Sequence, residues 1–343
     1  MKNKKYDTLV FLGRFQPVHI AHAEIIRRAA SMAHQVVVVI GSADLPRTYK
    51  NPFTVDERKT MLREAVTNST NEMVPTYIES VRDSMYNDQV WVKRVQEAVA
   101  KHTKVGDTVA IIGHSKDESS FYLKMFPQWK HEEVELLEPL HATDIRDLYF
   151  KYDANPRYIV ETVPREVYNF LSAFRETEAY AQIIREREFI ANYKKQFAGL
   201  PYAPVFVTAD AVVICSGHVL MVRRKAEPGR GLLAFPGGFL NAATDRNMKV
   251  AALRELKEET GIKVAPAMLE GSIQDSRVFD AIGRSERGRT ITHAFKIMLP
   301  DGPLPKVKGA DDAEKAMWVP IGEIAPDQCF EDHYEILCAF VGG

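Results

Sequence analysis

Two groups of side chains in this 343-residue chain have the types and spacings that phosphate chemistry uses. The first is Gly13-Arg14-Phe15-Gln16-Pro17-Val18-His19-Ile20-Ala21-His22. It follows an apolar run at 8–12 and opens an amphipathic stretch at 21–33, so it lies where a strand hands over to a helix. A helix N-terminus offers unpaired N–H groups and the positive end of the helix dipole, and anions settle there. His19 and His22 are three apart and share a helix face. With Arg14 they could hold the phosphates of a nucleotide. Either histidine alone is better explained as a plain surface or core residue. Joined to Gly13, Arg14 and Pro17 after a strand, the phosphate explanation is the stronger.

The second group is Pro236-Gly237-Gly238-Phe239 followed by Arg254-Glu255-Leu256-Lys257-Glu258-Glu259-Thr260-Gly261-Ile262. Glu255, Glu258 and Glu259 stand at i, i+3 and i+4, which puts three carboxylates on one helix face. Hard divalent cations take such oxygen clusters. Acidic residues near a helix C-terminus oppose its dipole, a conflict that a bound cation relieves. A generic acidic run is a solvated face. The preceding Pro-Gly-Gly turn and the terminal Gly261 favour the cation.

The elements that position these groups are readable from periodicity. In the first half, strand-like runs at 8–12, 35–40, 77–81, 108–112 and 134–137 alternate with helix-like runs at 21–33, 56–65 and 90–102. β-Branched runs such as 35–40 suit strands buried on both faces of a parallel sheet. The alternation predicts an α/β fold with a doubly wound parallel sheet, Rossmann-like, in which ligands bind at the carboxyl ends of the strands. The segment 178–197 is charged and helical, with no Gly or Pro, and Gly199-Leu200-Pro201 follows it. We place domains at 1–177 and 201–343 with a helical linker at 178–200. The second half opens with a hairpin, 206–215 and 219–223 around Ser216-Gly217, and reads as α+β.

Composition excludes several classes. Lys+Arg is 45 and Asp+Glu 46, so the near-neutral chain is neither a basic nucleic-acid binder nor a polybasic membrane anchor. Cys215, Cys329 and Cys338 are far apart and in no metal-ligand pattern, as expected of reduced thiols in the cytoplasm. The N-terminal apolar stretch 9–12 is too short for a signal peptide and no run is long enough to span a membrane. Homo-oligomerisation is left open.

The first decamer resembles the H-x-x-H signature of the nucleotidyltransferase superfamily, and more closely the GRFQPxHxGH opening of archaeal-type nicotinamide mononucleotide (NMN) adenylyltransferases, with Ala21 for the usual Gly. Residues 51–58 resemble its NPFTxxER segment. Asp83, Asn87 and Trp91 resemble its D-x3-N-x3-W pattern, and Thr143 with Arg146 its second phosphate motif, where His141 replaces a Ser. The resemblance covers about the first 175 residues. It implies transfer of AMP from ATP to NMN, giving NAD and pyrophosphate, with one Mg²⁺ on the ATP phosphates. It assigns the phosphates to Arg14, His19, His22 and Arg146. Gly13, Phe15, Gln16, Asn51, Arg58, Asp83, Asn87, Gly113 and Thr143 join the substrate site, and Trp91 stacks on the nicotinamide ring. A core tryptophan is the plainer account of Trp91.

The second group resembles the Nudix box, G-x5-E-x7-R-E-U-x-E-E-x-G-U, where U is bulky and apolar. The half from Arg254 to Ile262 matches at every fixed position. From Gly238 to Arg254 the chain is two residues too long: counting forward for the first glutamate reaches Thr244, counting back reaches Arg246, and Asp245 lies between. The resemblance implies Mg²⁺ or Mn²⁺ on Glu255, Glu258 and Glu259, a catalytic role for Glu259, substrate contacts at Gly237 and Gly238, and water activation at a pyrophosphate. The stretch 277–289 resembles the substrate loop of ADP-ribose-directed Nudix proteins. Arg277, Arg284 and Arg289 would grip phosphate or the terminal ribose, and Glu286 would act as general base, with Asp280, Asp311 and Glu314 as competitors. A basic surface loop is the plainer account.

The leading expectation is a chain that makes NAD in one half and hydrolyses ADP-ribose to AMP and ribose 5-phosphate in the other. Another phosphate acceptor for the transferase, or an ADP-ribose sensor without hydrolysis in the second half, are the alternatives.

Overall fold

The computed structural model describes residues 4–69, 74–114, 118–134, 140–151, 156–308 and 313–342. The chain divides into two compact units, Met1–Ile184 and Arg185–Gly343. The division falls inside one helix, α7 (Glu178–Lys195), which was expected to be a linker.

In the first unit the elements run β1 (Tyr6–Gly13), α1 (Ile20–Met32), β2 (Ala33–Ile40), α2 (Val55–Ser69), β3 (Thr76–Ser80), α3 (Asp88–Ala100), β4 (Val109–Gly113), β5 (Lys130–Glu133), α4 (Ala142–Tyr149), α5 (Pro156–Thr162) and α6 (Arg165–Phe174). The five strands are parallel in the order β3-β2-β1-β4-β5. Alternate residues feed two cores: Leu9, Phe11, Val36, Val38 and Ile112 pack with α1, while Val10, Leu12, Val37, Val39 and Ile111 pack with α3. Because both faces are covered, these strands read as unbroken apolar runs. The strand order turns back between β1 and β4, and such a switch point leaves a crevice at the carboxyl ends, here Gly13 and Gly113. The last strand differs from expectation. It occupies Lys130–Glu133 rather than 134–137, of which 135–137 lie outside the described residues. Its polar, edge-strand composition hides it from a hydrophobicity reading.

In the second unit β6 (Val205–Cys215), β7 (His218–Arg224), β8 (Leu233–Ala234), β9 (Gly237–Phe239), α8 (Met248–Thr260), α9 (Pro266–Gly271), β10 (Ile273–Phe279), β11 (Arg289–Met298), β12 (Ala313–Pro320) and α10 (His333–Val341) follow. The mixed sheet runs β10-β11-β6-β7-β12, with β8 on β7 and β9 on β6. The β6–β7 hairpin is as expected. The parallel pairing of β6 with β11 carries no local signal. Val212, Ile214 and Met221 pack with Ile336 and Leu337 of α10 on one face, and Ala211, Val213 and Leu220 with Leu256 of α8 on the other. Asn247 caps α8, accepting from Val250 N at 3.0 Å. Among the described residues no helix is long and apolar enough to cross a membrane.

Candidate active sites

At the end of β1 the chain turns sharply. Phe15 has φ 54°, and its ring folds back so far that a Cβ on Gly13 would meet it at 2.8 Å. Only glycine leaves that space. Phe15 is buried against Phe11 and His22, so it props the turn rather than facing a ligand. Gln16 is also buried. It donates to Phe53 O at 3.0 Å and accepts from Phe53 N at 2.9 Å, stapling the turn to the 51–58 segment. Its carbonyl accepts from the Arg146 guanidinium at 2.7 Å, and the same guanidinium donates to the Thr143 hydroxyl at 3.1 Å. The α4 arginine is thereby tied to the start of α1.

His19 and His22 stack, with ring centroids 3.5 Å apart. His22 Nδ1 accepts from His19 N at 3.2 Å, so the proton of a neutral His22 ring sits on Nε2. Arg58 is 1 % exposed. Its guanidinium donates to the carbonyls of Arg14, Gly41 and Ser42 at 2.9, 2.8 and 3.0 Å, clamping the ends of β1 and β2. Burial pushes its pKa down to about 10. The resemblance pointed to Arg58 as a substrate residue; the structure makes it a brace.

A cavity of about 510 Å³ opens at these strand ends. Gly13, Arg14, Asp83 and Trp91 line it, together with Ser42, Ser84, Asp88, Tyr122 and Met125. Asp83 is aimed by Ser42, whose N and hydroxyl donate to its carboxylate at 3.0 and 2.6 Å. Trp91 stands edge-on to Tyr122 and is half-buried. The four-residue spacing of Asp83, Asn87 and Trp91 does not place all three on one helix. Asp83 precedes α3, and Asn87 is its N-cap, accepting from Gln89 N and Val90 N. Asn51 lies away from the cavity lining, with its Oδ1 buried and without a donor among the described residues. Gly113 faces Leu123, 3.0 Å from where a Cβ would be. Ser42, Ser84 and Tyr122 escaped the sequence reading. Ser42 could have been found, since it follows a strand next to β1 at its carboxyl end. Residues 115–117 lie outside the described residues.

In the second unit β9 brings the Gly237-Gly238 backbone against α8. Gly237 N donates to Glu259 Oε2 at 3.0 Å, and a Cβ on Gly238 would stand 2.7 Å from the Glu255 carboxyl carbon. Glycine is needed there so that the carboxylate can reach the backbone. Glu255 and Glu259 line a cavity of about 620 Å³ with Arg224, Lys225, Asn241 and Arg287. Burial pushes the Glu259 carboxyl up to about 8 and raises that of Glu255. Two neighbouring carboxyls whose pKa values are raised chiefly by burial fit a divalent cation, because a bound cation favours their ionised form. Glu258 is 47 % exposed and pairs with Arg254 at 2.8 Å, outside the cavity wall. Among the described residues no three His, Cys, Asp or Glu side chains are already gathered as a metal cage.

Asp245 resolves the lengthened box. Its buried carboxylate takes both Arg254 Nε, at 2.9 Å, and Nη2, at 2.8 Å, and that hydrogen bonding holds its pKa below the ordinary value. Arg254 Nη1 then donates to Glu255 and Glu258, each at 2.8 Å. One carboxylate therefore serves where counting reached only Thr244 or Arg246.

The 277–289 arginines do not act as a set. Arg284 is buried in a two-bond ion pair with Asp332, at 2.9 and 2.7 Å. Arg277 bonds Asp275 and the Ala339 carbonyl, and Arg289 lies 3.9 Å from Asp280. Neither Arg277 nor Arg289 lines the carboxylate cavity, whereas Arg287 does. Glu286 is outside that wall; its charge acts on Glu186 of α7. Asp311 lies outside the described residues, as does the side chain of Glu314. Beside the main cavity a small one of about 60 Å³ gathers Asp210, Arg224, Glu331 and His333, none of them chosen from sequence.

Comparison with known proteins matches this geometry. A cytidylyltransferase-like family matches residues 10–148, and the NUDIX domain family residues 205–340. A nicotinamide/nicotinic acid mononucleotide adenylyltransferase of Acinetobacter baylyi is 38% identical over 180 residues, covering 52% of this chain and 92% of that protein. The crystal structure of a bifunctional NMN adenylyltransferase/ADP ribose pyrophosphatase from Francisella tularensis, complexed with AMP and a Mn ion, superposes with a TM-score of 0.90 at 34% identity over 98% of each chain. A second crystal structure of such a Francisella protein gives 0.91 at 36% identity, again over 98% of each chain.

Proposed function

This chain belongs to the family of bifunctional NMN adenylyltransferase/ADP-ribose pyrophosphatases, and from that premise we propose how its residues divide the chemistry. The first unit synthesises NAD. An oxygen of the NMN 5′-phosphate attacks the α-phosphorus of ATP, the bond from that phosphorus to the bridging oxygen breaks, and pyrophosphate leaves. Such a displacement needs positioning and charge stabilisation rather than a covalent enzyme intermediate. His19 and His22, bonded to each other at the start of α1, and Arg146, bonded to the Gln16 carbonyl in the turn before it, hold the triphosphate, with exposed Arg14 nearby. Asp83 and Trp91 take the nicotinamide nucleoside in the cavity, while Arg58 and Gln16 keep the loops in place.

The second unit hydrolyses ADP-ribose to AMP and ribose 5-phosphate. Glu255 and Glu259 would hold Mg²⁺ or Mn²⁺, with Glu258 as a third donor. When bound, the metal supplies an activated water and neutralises the pyrophosphate. Arg254, braced by Asp245, orients the carboxylates, and Arg224 and Arg287 face the substrate anion from the cavity wall. The sensor alternative drew its motive from a missing box glutamate; the buried Asp245–Arg254 pair removes that motive.

The carrying observation is the contrast between the two cavities: one at the strand ends, lined by Gly13, Arg14, Asp83 and Trp91, the other lined by the Glu255 and Glu259 carboxyls. The test uses the full chain. With ATP, NMN and Mg²⁺ it should release NAD and pyrophosphate, and with ADP-ribose and Mg²⁺ or Mn²⁺ it should release AMP. Glu259→Gln should abolish the second reaction and spare the first, and His22→Ala the reverse. NAD formation that fails with NMN while pyrophosphate is released with another acceptor would overturn the transferase assignment. Binding of ADP-ribose with no AMP formed under either metal would overturn the hydrolase assignment.

A further inference from the structure

We infer that α7 supplies the base-binding wall of the hydrolase site, with Phe189 and Tyr193 as the platform for the aromatic base of the nucleotide. The inference rests on the hydrolase reading of the second unit and adds a recognition surface to it. Phe189 and Tyr193 are four residues apart and so share a helix face. Both line the cavity of about 620 Å³ that Glu255 and Glu259 also line. Their rings are nearly parallel, 18° between planes, with centroids 6.5 Å apart.

The two rings are supported differently. Tyr193 is backed by Phe206 at 5.7 Å, and Phe206 by Phe239 at 5.9 Å, whose ring also lines the cavity. Phe189 is 40 % exposed. The neighbouring Ile190 is 8 % exposed, so burial of the helix's apolar side does not require Phe189 to be aromatic or even apolar. A single exposed phenylalanine on a charged helix needs no explanation. Two aromatic rings on one face, lining a cavity that metal-type carboxylates also line, form a surface for a flat uncharged ring.

The ligand chemistry follows from the two kinds of lining. The carboxylates suit a metal-bridged pyrophosphate and the aromatic rings suit a neutral base, and an adenosine diphosphate has both. The cavity volume lies in the ordinary range for a ligand of that size. Ribose 5-phosphate, the other product, has no group for the platform.

Base stacking on one aromatic side chain is worth about tenfold to a hundredfold in affinity. Full-length Phe189→Ala and Tyr193→Ala should each raise KM for ADP-ribose and the inhibition constant of AMP about tenfold or more. The kcat and the inhibition constant of ribose 5-phosphate should stay within about twofold. Phe189→Trp should restore wild-type KM, and its added fluorescence should be quenched by AMP and not by ribose 5-phosphate. The unchanged kcat for ADP-ribose in the same preparations reports that the second unit is folded. Unchanged AMP inhibition in both alanine variants would overturn the platform, as would equal weakening of both products. A wild-type chain that does not cleave ADP-ribose would count against the hydrolase reading alone, because AMP titration of Phe189→Trp reads the platform without turnover.

Discussion

Asp245→Asn is the sharpest test of how the lengthened box works. The substitution keeps the side-chain shape and removes the charge that takes two donors of Arg254. Removing one partner of a fully buried pair costs about 3–5 kcal/mol. The Arg254 side chain is 26 % exposed and keeps Glu255 and Glu258, so we set the loss at about 2 kcal/mol. For a unit of this size that lowers the melting temperature by about 4–8 °C. The larger effect is on function. Arg254 would no longer be anchored, and Glu255 would lose its orientation against Gly238. Groups that orient metal ligands are worth about 10–100-fold in metal affinity or activity. The assay is ADP-ribose hydrolysis against Mn²⁺ concentration, with NAD formation measured in parallel. The half-saturating Mn²⁺ should rise about tenfold or more while NAD formation is unchanged. Thr244→Ala and Arg246→Ala, at the exposed positions that simple counting reaches, should leave both reactions alone. A wild-type metal dependence in Asp245→Asn, or a larger loss in either control, would refute the assignment.

Two further outcomes are expected. Arg58→Lys leaves one ammonium where a guanidinium held four carbonyls, those of Arg14, Gly41, Ser42 and Thr54, so the first unit should lose about 2–4 kcal/mol and NAD formation should fall at least tenfold, with ADP-ribose hydrolysis intact; paired rate and melting measurements check this. Burial, reinforced by Glu227, pushes the Glu186 carboxyl from 4.5 up to about 7. A carboxyl that binds its proton more tightly when folded contributes stability that is complete below its unfolded pKa and lost as pH rises through its folded one. Glu186→Gln keeps an acceptor for the Gly229 N–H and drops the charge. It should therefore stabilise the protein at pH 8, by at most about 3 kcal/mol, and do little at pH 4; a loss of melting temperature at both values would refute the burial account.

The chemistry that was legible beforehand is local. A strand, a tight turn and two histidines three apart are consecutive in the chain, and so are three glutamates on one helix face. Spacing along a single element determines which side chains share a face, whatever packs against it. The same holds for the doubly wound alternation, because strands covered on both sides must be apolar throughout.

What escaped the sequence depends on partners far apart in it. Nothing near Arg58 announces that it turns inward to four carbonyls, or near Arg284 that Asp332 claims its guanidinium. A helix that reads as a charged linker puts two aromatic rings into a cavity wall, because the residues opposite them come from β7, β9 and α8. Asp245 was visible as a carboxylate out of register, and only the folded loop brings it to Arg254. Residue types and local periodicity determined the kinds of chemistry present in this chain. Long-range packing decided which of those side chains face a cavity and which are bonded away, since a side chain's hydrogen-bonding capacity is taken by whichever neighbour the fold brings near it.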